Sequence, residues 1–196
     1  VRQELGLPIN ASLVVVVGRL MRRKGLDIFI RAMAEVVAHH PGAQGLIVGE
    51  VEITDIGLDD ELKQLAMSLE IDQHIHFTGY RRDVPRLLSA ADVLSFVPSQ
   101  PEPFGRTVVE AMAAGLPAIA ARCDFGPEEI IEDGQTGLLA ESENVDALSG
   151  AIDRLLADDE LRAALGTNAE LAIRRFAPET VAMQWDEALS RAVHRP

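Results

Sequence analysis

Two segments of this chain concentrate side chains that can bind anions and polyols. The first, residues 18–25, reads Gly-Arg-Leu-Met-Arg-Arg-Lys-Gly and places four cations within six positions. Arginine offers a planar fork of donors and lysine a point charge, so this cluster before a predicted helix suits a phosphate group, although it could equally line a solvated loop. The pattern is neither a dinucleotide fingerprint nor a Walker A loop, because Gly18 and Gly25 are too far apart and no Ser or Thr follows Lys24.

The second segment, residues 98–112, contains two acidic residues. Prolines on both sides of Glu102 fix the backbone and remove amide donors, and Gly105 permits close approach of the backbone. Glu110 lies a little over one turn into the helix that follows, close enough to face the same crevice. Paired carboxylates suit hydroxyl binding or acid/base work, and an acid at such a crevice binds ribose in dinucleotide-binding folds. Alternatively, Glu110 is an acid on a helix surface.

Strands and helices alternate along most of the chain and must position these two segments. Apolar runs predict six strands, over residues 13–17, 45–48, 75–78, 93–97, 116–120 and 137–139. Helical spacing predicts helices over residues 26–37, 60–69, 84–90, 106–114, 145–157, 159–172 and 180–193. We therefore expect residues 1–196 to form a single α/β domain, with a doubly wound, mostly parallel six-stranded Rossmann-like sheet and extra C-terminal helices. Ligands bind such sheets where the strand order reverses, which favours the loops after the first and fourth strands.

Composition excludes several classes of protein. The chain has 196 residues, 47% of them hydrophobic, and 18 Lys+Arg against 31 Asp+Glu give a net charge of −13. This acidity argues against sequence-independent nucleic-acid binding, so no nucleic-acid partner is expected. No apolar run approaches the roughly 20 residues that cross a bilayer, and the N-terminus lacks a signal-peptide pattern. One cysteine, Cys123, excludes a disulfide framework and is compatible with a reducing compartment, so we expect a cytoplasmic protein.

Histidines and a further arginine pair provide weaker signals. His74 and His76 are two positions apart on a predicted strand, but no third ligand is evident, so no metal site is expected. Arg81 and Arg82 are either a solvated pair or a contact to a nucleotide.

Together, the order and spacing of these motifs resemble the C-terminal, donor-binding domain of retaining glycosyltransferases of the two-domain GT-B fold, the group 1 family. The two glutamates separated by seven residues match that family's signature. The resemblance covers nearly the whole chain and rests on residues 18–19, 24–25, 77–80, 102–105, 110–117, 126–131 and 133–139. Two departures stand out: Phe125 occupies a position where glycine is usual, and residues 49–57 form an extension that is predicted to be a surface loop.

The resemblance implies a role for each matching residue. Arg19 and Lys24 would neutralise the donor's diphosphate and the charge on the leaving nucleotide. Glu102 would contact the transferred sugar. These three residues are the catalytic residues that the resemblance implies. Glu110 would bind the ribose, Thr107 would lie against the diphosphate, and residues 79–82 would flank the base. The full set of implied donor-binding residues is Gly18, Gly79, Tyr80, Arg81, Phe104, Gly105, Arg106, Thr107 and Glu110. The resemblance also implies that no metal or other cofactor is required and that the anomeric configuration is retained.

Such enzymes also contain an N-terminal Rossmann-like domain, so the chain is expected to be a donor-binding half that is inactive alone. Its partners would be a nucleotide-sugar donor and, through the other half, a sugar, lipid or other acceptor. Peripheral membrane association would come only through that half. The last helix, about residues 178–193 with Trp185, would cross towards it. Two alternatives remain: a nucleotide-sugar epimerase of the same fold, or a non-catalytic nucleotide-binding α/β module.

Overall fold

The apolar run over residues 13–17 forms an interior strand of a six-stranded parallel sheet in the computed structural model. The structure describes residues 1–193. The strands are β1 (Ser12–Val17), β2 (Ala43–Val48), β3 (Ile75–Gly79), β4 (Val93–Phe96), β5 (Ala118–Arg122) and β6 (Leu138–Glu141). Their order in the sheet is β3-β2-β1-β4-β5-β6. The predicted Rossmann-like α/β fold is therefore confirmed, and the strand order reverses between β1 and β4.

Eight α-helices connect the strands or follow them within the described residues. They are α1 (Leu26–His39), α2 (Leu58–Ser68), α3 (Val84–Leu88), α4 (Arg106–Ala113), α5 (Gly126–Ile130), α6 (Val145–Ala157), α7 (Asp159–Ala172) and α8 (Pro178–Val193). Short 3-10 turns occupy Arg22–Lys24, Ile53–Asp55, Asp72–His74 and Ile173–Phe176.

Two apolar layers hold the helices on opposite faces of the sheet. Val14 and Val16 of β1 pack with α1, α2 and α6, whereas Leu13 and Val15 pack with α3 and α4. Successive side chains of a strand point to opposite faces, so a strand with helices on both sides must be apolar at every position. This requirement explains why β1 could be recognised from sequence.

Two local differences from the predicted elements have physical causes. β5 begins at Ala118 and not at residue 116, because Pro117 has no amide hydrogen to donate; its carbonyl accepts a bond from the Leu94 amide at 3.0 Å. The five-residue helix α5 was not predicted, since it begins with Gly-Pro, a pair that is typical of turns.

The last helix is the most exposed element. α8 packs against the Ile173–Phe176 turn, and its large apolar side chains Met183, Trp185 and Leu189 are mostly exposed. None of the helices within residues 1–193 is long and apolar enough to cross a membrane.

Candidate functional site

A cavity of about 730 Å³ opens beside the point where the strand order reverses, at the carboxyl ends of β1 and β2. Its volume lies within the usual range for small-molecule sites. It is lined by Val17, Gly18 and Arg19 after β1, residues 48–52 after β2, residues 80–82 with Val84 and Pro85 after β3, and Arg106, Thr107 and Glu110 of α4. Seven predicted site residues, Gly18, Arg19, Tyr80, Arg81, Arg106, Thr107 and Glu110, therefore share one cavity.

Close backbone packing places the cationic loop, residues 18–25, against the loop that follows β4. Gly25, which directly precedes α1, has φ of 65°, and a Cβ atom there would lie only 2.0 Å from the carbonyl oxygen of Val97. No larger residue fits this position without moving the backbone. The contact brings Lys24 next to the Glu102 segment.

Every cation of the loop is paired with a carboxylate. Arg19 pairs with Glu52, Arg22 with Glu61, and both Arg23 and Lys24 with Glu102. Hydrogen bonding to Glu61 raises the pKa of Arg22, and hydrogen bonding to Arg22 lowers the pKa of Glu61. The cluster is thus internally neutralised, and an anionic ligand must exchange partners with these carboxylates to bind there.

Lys24 and Glu102 form the least exposed of these pairs. Their Nζ and Oε2 atoms are 2.6 Å apart, and the two side chains are 19% and 16% exposed. The Lys24 ammonium also lies 5.3 Å from the centre of the Phe96 ring. Together with Gly18 and Arg19, Lys24 lines a second, much smaller cavity of about 10 Å³. Gly18 and Arg19 line both cavities, so Lys24 lies next to the wall of the large cavity.

Helix α4 supplies the opposite wall of the large cavity. Gly105 precedes it in the left-handed region with φ of 87°, and no side chain of the described residues caps its first turn. The Thr107 hydroxyl donates a hydrogen bond to the Val17 carbonyl at 3.3 Å, which ties α4 to β1. Glu110 faces the cavity and its carboxylate lies 3.3 Å from Arg106. Residues of the first turn of α4 and the Glu110 residue therefore line the same cavity.

Tyr80 and Arg81 form the part of the wall beyond β3, which ends at Gly79. Tyr80 is 62% exposed. Arg81 donates to both carboxylate oxygens of Asp83 at 2.8 Å and to Glu4 at 2.8 Å, and these bonds raise its pKa further above its ordinary range. Arg81 is thus fixed by protein carboxylates, whereas Tyr80 presents an open aromatic face.

The extension after β2 contributes residues that the sequence interpretation missed. Residues 49–57 are predicted as a surface loop, and Ile53 and Ile56 fit that description, with 79% and 80% exposure. Its first part is instead fastened to the cationic loop by a backbone bridge between Val51 and Leu20, so Glu50 and Glu52 line the cavity. Their position directly after a strand next to β1 is the signal that would have identified them.

The remaining predicted residues lie outside the lining of the large cavity. Among the described residues that form its wall, none is Gly79, Lys24, Glu102, Phe104 or Gly105. The Phe104 ring packs edge-on against Phe176 with centroids 5.5 Å apart. The Glu102 backbone forms a bridge with Phe125, so the proline-rich loop is anchored to the segment before α5.

The two histidines and the cysteine make structural contacts. Gln44 contacts His74 at 3.2 Å and His76 at 2.7 Å, and burial lowers the pKa of His76. Burial likewise raises the pKa of the Cys123 thiol. Within residues 1–193, no group of three or more His, Cys, Asp or Glu side chains has metal-binding geometry.

Comparison with known families identifies this architecture. Residues 1–172 match the family model described as "Glycosyl transferases group 1". The chain belongs to the group 1 glycosyltransferases. The resemblance found in the order of the sequence motifs is thereby confirmed.

Curated relatives of this group 1 chain include glycosyltransferases. The D-inositol 3-phosphate glycosyltransferase of Corynebacterium kroppenstedtii is 32% identical over 198 residues, which cover 99% of this chain and 44% of that protein. The protein of the same name from Acidothermus cellulolyticus is 36% identical over 181 residues, covering 89% of this chain and 40% of that protein. The group 1 chain thus spans less than half the length of these two relatives.

Solved structures agree with this assignment. Anabaena Alr3699/HepE, determined with UDP-glucose, has a TM-score of 0.89 and 33% identity to this group 1 chain, covering 97% of it and 51% of the Anabaena chain. The C-terminal domain of the group 1 protein LpcC from Francisella tularensis has a TM-score of 0.79 and 26% identity, covering 87% of this chain and 88% of that domain.

Proposed function

We propose that the large cavity binds a nucleoside diphosphate sugar, the donor for a glycosyl transfer that retains the anomeric configuration. The observation that carries this proposal is that Arg19 and Glu110 line one cavity where the strand order reverses. A guanidinium suits a diphosphate and a carboxylate suits vicinal hydroxyls, so one cavity offers both halves of a nucleotide their preferred partners.

Each part of the donor then has an assigned partner. The diphosphate contacts Arg19, Thr107 and the amides at the start of α4, and Lys24 turns from Glu102 to join them. Glu110 accepts hydrogen bonds from the ribose hydroxyls. As the bond to the sugar breaks, negative charge grows on the diphosphate, and these cations and amides stabilise it more strongly than in the ground state.

The base and the sugar occupy opposite ends of this arrangement. Tyr80 lines the cavity after β3 and is exposed, and we assign it, with Gly79 and Arg81, to the base. Release of Glu102 from Lys24 allows its carboxylate to bind hydroxyls of the transferred sugar, with Phe104 and Gly105 beside it. UDP-glucose is the first donor to test, because Anabaena Alr3699/HepE has been determined with that ligand.

The acceptor is assigned to a second domain, which in this proposal completes the active site. Positioning of an acceptor hydroxyl and exclusion of water contribute several kcal/mol to such reactions. The chain spans 44% of its Corynebacterium relative, which leaves room for such a domain. Met183, Trp185 and Leu189 of α8 present an exposed apolar surface that we assign to contact with it.

Calorimetric titration with UDP-glucose, UDP and uridine tests this function. Because a charge-assisted hydrogen bond contributes about 1.5–3 kcal/mol, uridine should bind at least about tenfold more weakly than UDP. Equal affinity for uridine and UDP, or no binding of any of them, would contradict the proposal. The isolated chain should show no transfer to an added acceptor, and robust transfer would refute the need for a second domain.

Paired variants of the two glutamates test the division of roles. Glu110→Gln should weaken the binding of UDP and of UDP-glucose by the same factor, since the ribose is common to both ligands. Glu102→Gln should weaken the binding of UDP-glucose more than that of UDP, since only UDP-glucose carries the sugar. Gln is a matched replacement because it keeps the size and one acceptor oxygen while removing the charge. The opposite pattern would reverse the assignment.

A further inference from the structure

An acidic side chain of the extension after β2 forms an ion pair with the arginine that the proposed function assigns to the diphosphate. Glu52 and Arg19 form an ion pair, and both side chains line the large cavity. Any diphosphate that binds Arg19 must therefore compete with the Glu52 carboxylate or share the cation with it.

The Glu52 side chain is held more firmly than the Arg19 side chain, on a loop whose backbone is hydrogen-bonded to residue 20. The Leu20 amide donates to the Glu50 carbonyl at 2.8 Å, and the Glu52 amide donates to the Leu20 carbonyl at 3.0 Å. The Glu52 Oε1 atom also accepts a bond from the Ile53 amide at 3.2 Å. Its side chain is 19% exposed, compared with 68% for Arg19. When Arg19 turns to a ligand, the carboxylate stays at the cavity wall.

We propose that Glu52 is a specificity-determining residue that favours the sugar nucleotide over the free nucleoside diphosphate. This inference rests on the proposed function, and the difference comes from ligand charge. A terminal phosphate group carries about −1.5 to −2 at pH 7, whereas the same phosphate esterified to a sugar carries a single negative charge. The released product is therefore more negative than the donor at the phosphate that meets Arg19.

A fixed carboxylate acts on the two ligands in two ways. Competition for Arg19 weakens both of them, because both present a diphosphate. Repulsion by the carboxylate that remains weakens the more highly charged product further. The result is lower product affinity relative to donor affinity, which promotes release of the nucleoside diphosphate after transfer.

The test compares Glu52→Gln with Glu50→Gln by titration with UDP and with UDP-glucose. Gln at position 52 keeps the oxygen that accepts from the Ile53 amide, so the loop conformation has no reason to change. Glu50 is exposed and lines the same cavity, and no ion pair of its side chain is found among the described residues. Glu50→Gln therefore removes the same charge from the same wall without touching the Arg19 pair.

Glu52→Gln should tighten UDP binding by about two- to fivefold, the range of an exposed ion pair, and tighten UDP-glucose by a smaller factor. The ratio of UDP affinity to UDP-glucose affinity should rise more in Glu52→Gln than in Glu50→Gln. This difference between the two variants should shrink at high salt. An unchanged or weakened UDP affinity, or equal ratios in the two variants, overturns the inference while leaving the proposed function intact. Failure of the unaltered chain to bind either ligand overturns both.

Discussion

Phe125 is held in a backbone conformation that glycine adopts without strain, so Phe125→Gly should stabilise the protein. Its φ of 67° and ψ of −131° lie outside the regions that residues with a Cβ atom favour. The backbone bridge to Glu102 and a hydrogen bond from the Glu128 amide to the Phe125 carbonyl, at 3.0 Å, maintain this conformation. The strain is therefore imposed by the same contacts that anchor the proline-rich loop.

The magnitude follows from three contributions. A residue held in such a region costs about 1–3 kcal/mol, which glycine would recover. Glycine also gives the unfolded chain more conformational freedom, which reduces the recovered strain energy by about 0.4–1 kcal/mol. Phe125 is 66% exposed, so little apolar burial is lost when its ring is removed. Phe125→Gly should raise the free energy of unfolding by about 0.5–2 kcal/mol.

Denaturant titration of two variants isolates this effect. Phe125→Ala keeps the Cβ atom and the strain but removes the ring, so it should not be more stable than the unaltered protein. The difference between the Gly and Ala variants then reports the strain, provided that the denaturant slope is unchanged. If Phe125→Gly is no more stable than Phe125→Ala, the backbone strain inferred here does not exist.

Three further predictions concern the charges of the site and the sheet edge. Arg19→Ala should weaken UDP binding by about tenfold and leave uridine binding unchanged in calorimetry, whereas equal losses would indicate a structural loop. Glu102→Gln should lower the free energy of unfolding by about 1–3 kcal/mol in denaturant titration, because Lys24 then lacks its carboxylate partner; unchanged stability would show that the pair contributes nothing. Burial lowers the pKa of His76 below its ordinary value of 6.5, so folding favours the neutral ring and thermal stability should fall as pH drops below about 6.5. His76→Gln should reduce that fall between pH 7.5 and pH 5, and an identical pH profile would contradict this origin.

The sheet could be predicted from sequence because its interior strands are buried on both faces. A strand such as β1 must then be apolar throughout, and the change from continuous apolar runs to helical spacing marks each connection. The reversal of strand order favoured the loops after β1 and β4 as candidate sites; Arg19 after β1 lines the large cavity, whereas Glu102 after β4 does not. Short elements such as α5 carry no comparable pattern.

The ion pairs of the site could not be predicted, because they join residues that are distant in sequence. Glu52 is 33 positions from Arg19, and Glu102 is 78 positions from Lys24. Spacing along one segment identifies a cation or a carboxylate but not its partner across the fold. The sequence therefore indicated a phosphate site or a solvated loop, whereas the structure shows the cations of this loop paired with carboxylates.

The structure of this chain bound to UDP-glucose tests the central claim most directly. We expect the diphosphate within hydrogen-bond distance of Arg19, Lys24 and the first turn of α4, the ribose on Glu110, and the glucose beside Glu102 after Lys24 has left it. A nucleotide bound outside the large cavity, or a diphosphate that touches neither Arg19 nor Lys24, would contradict the account.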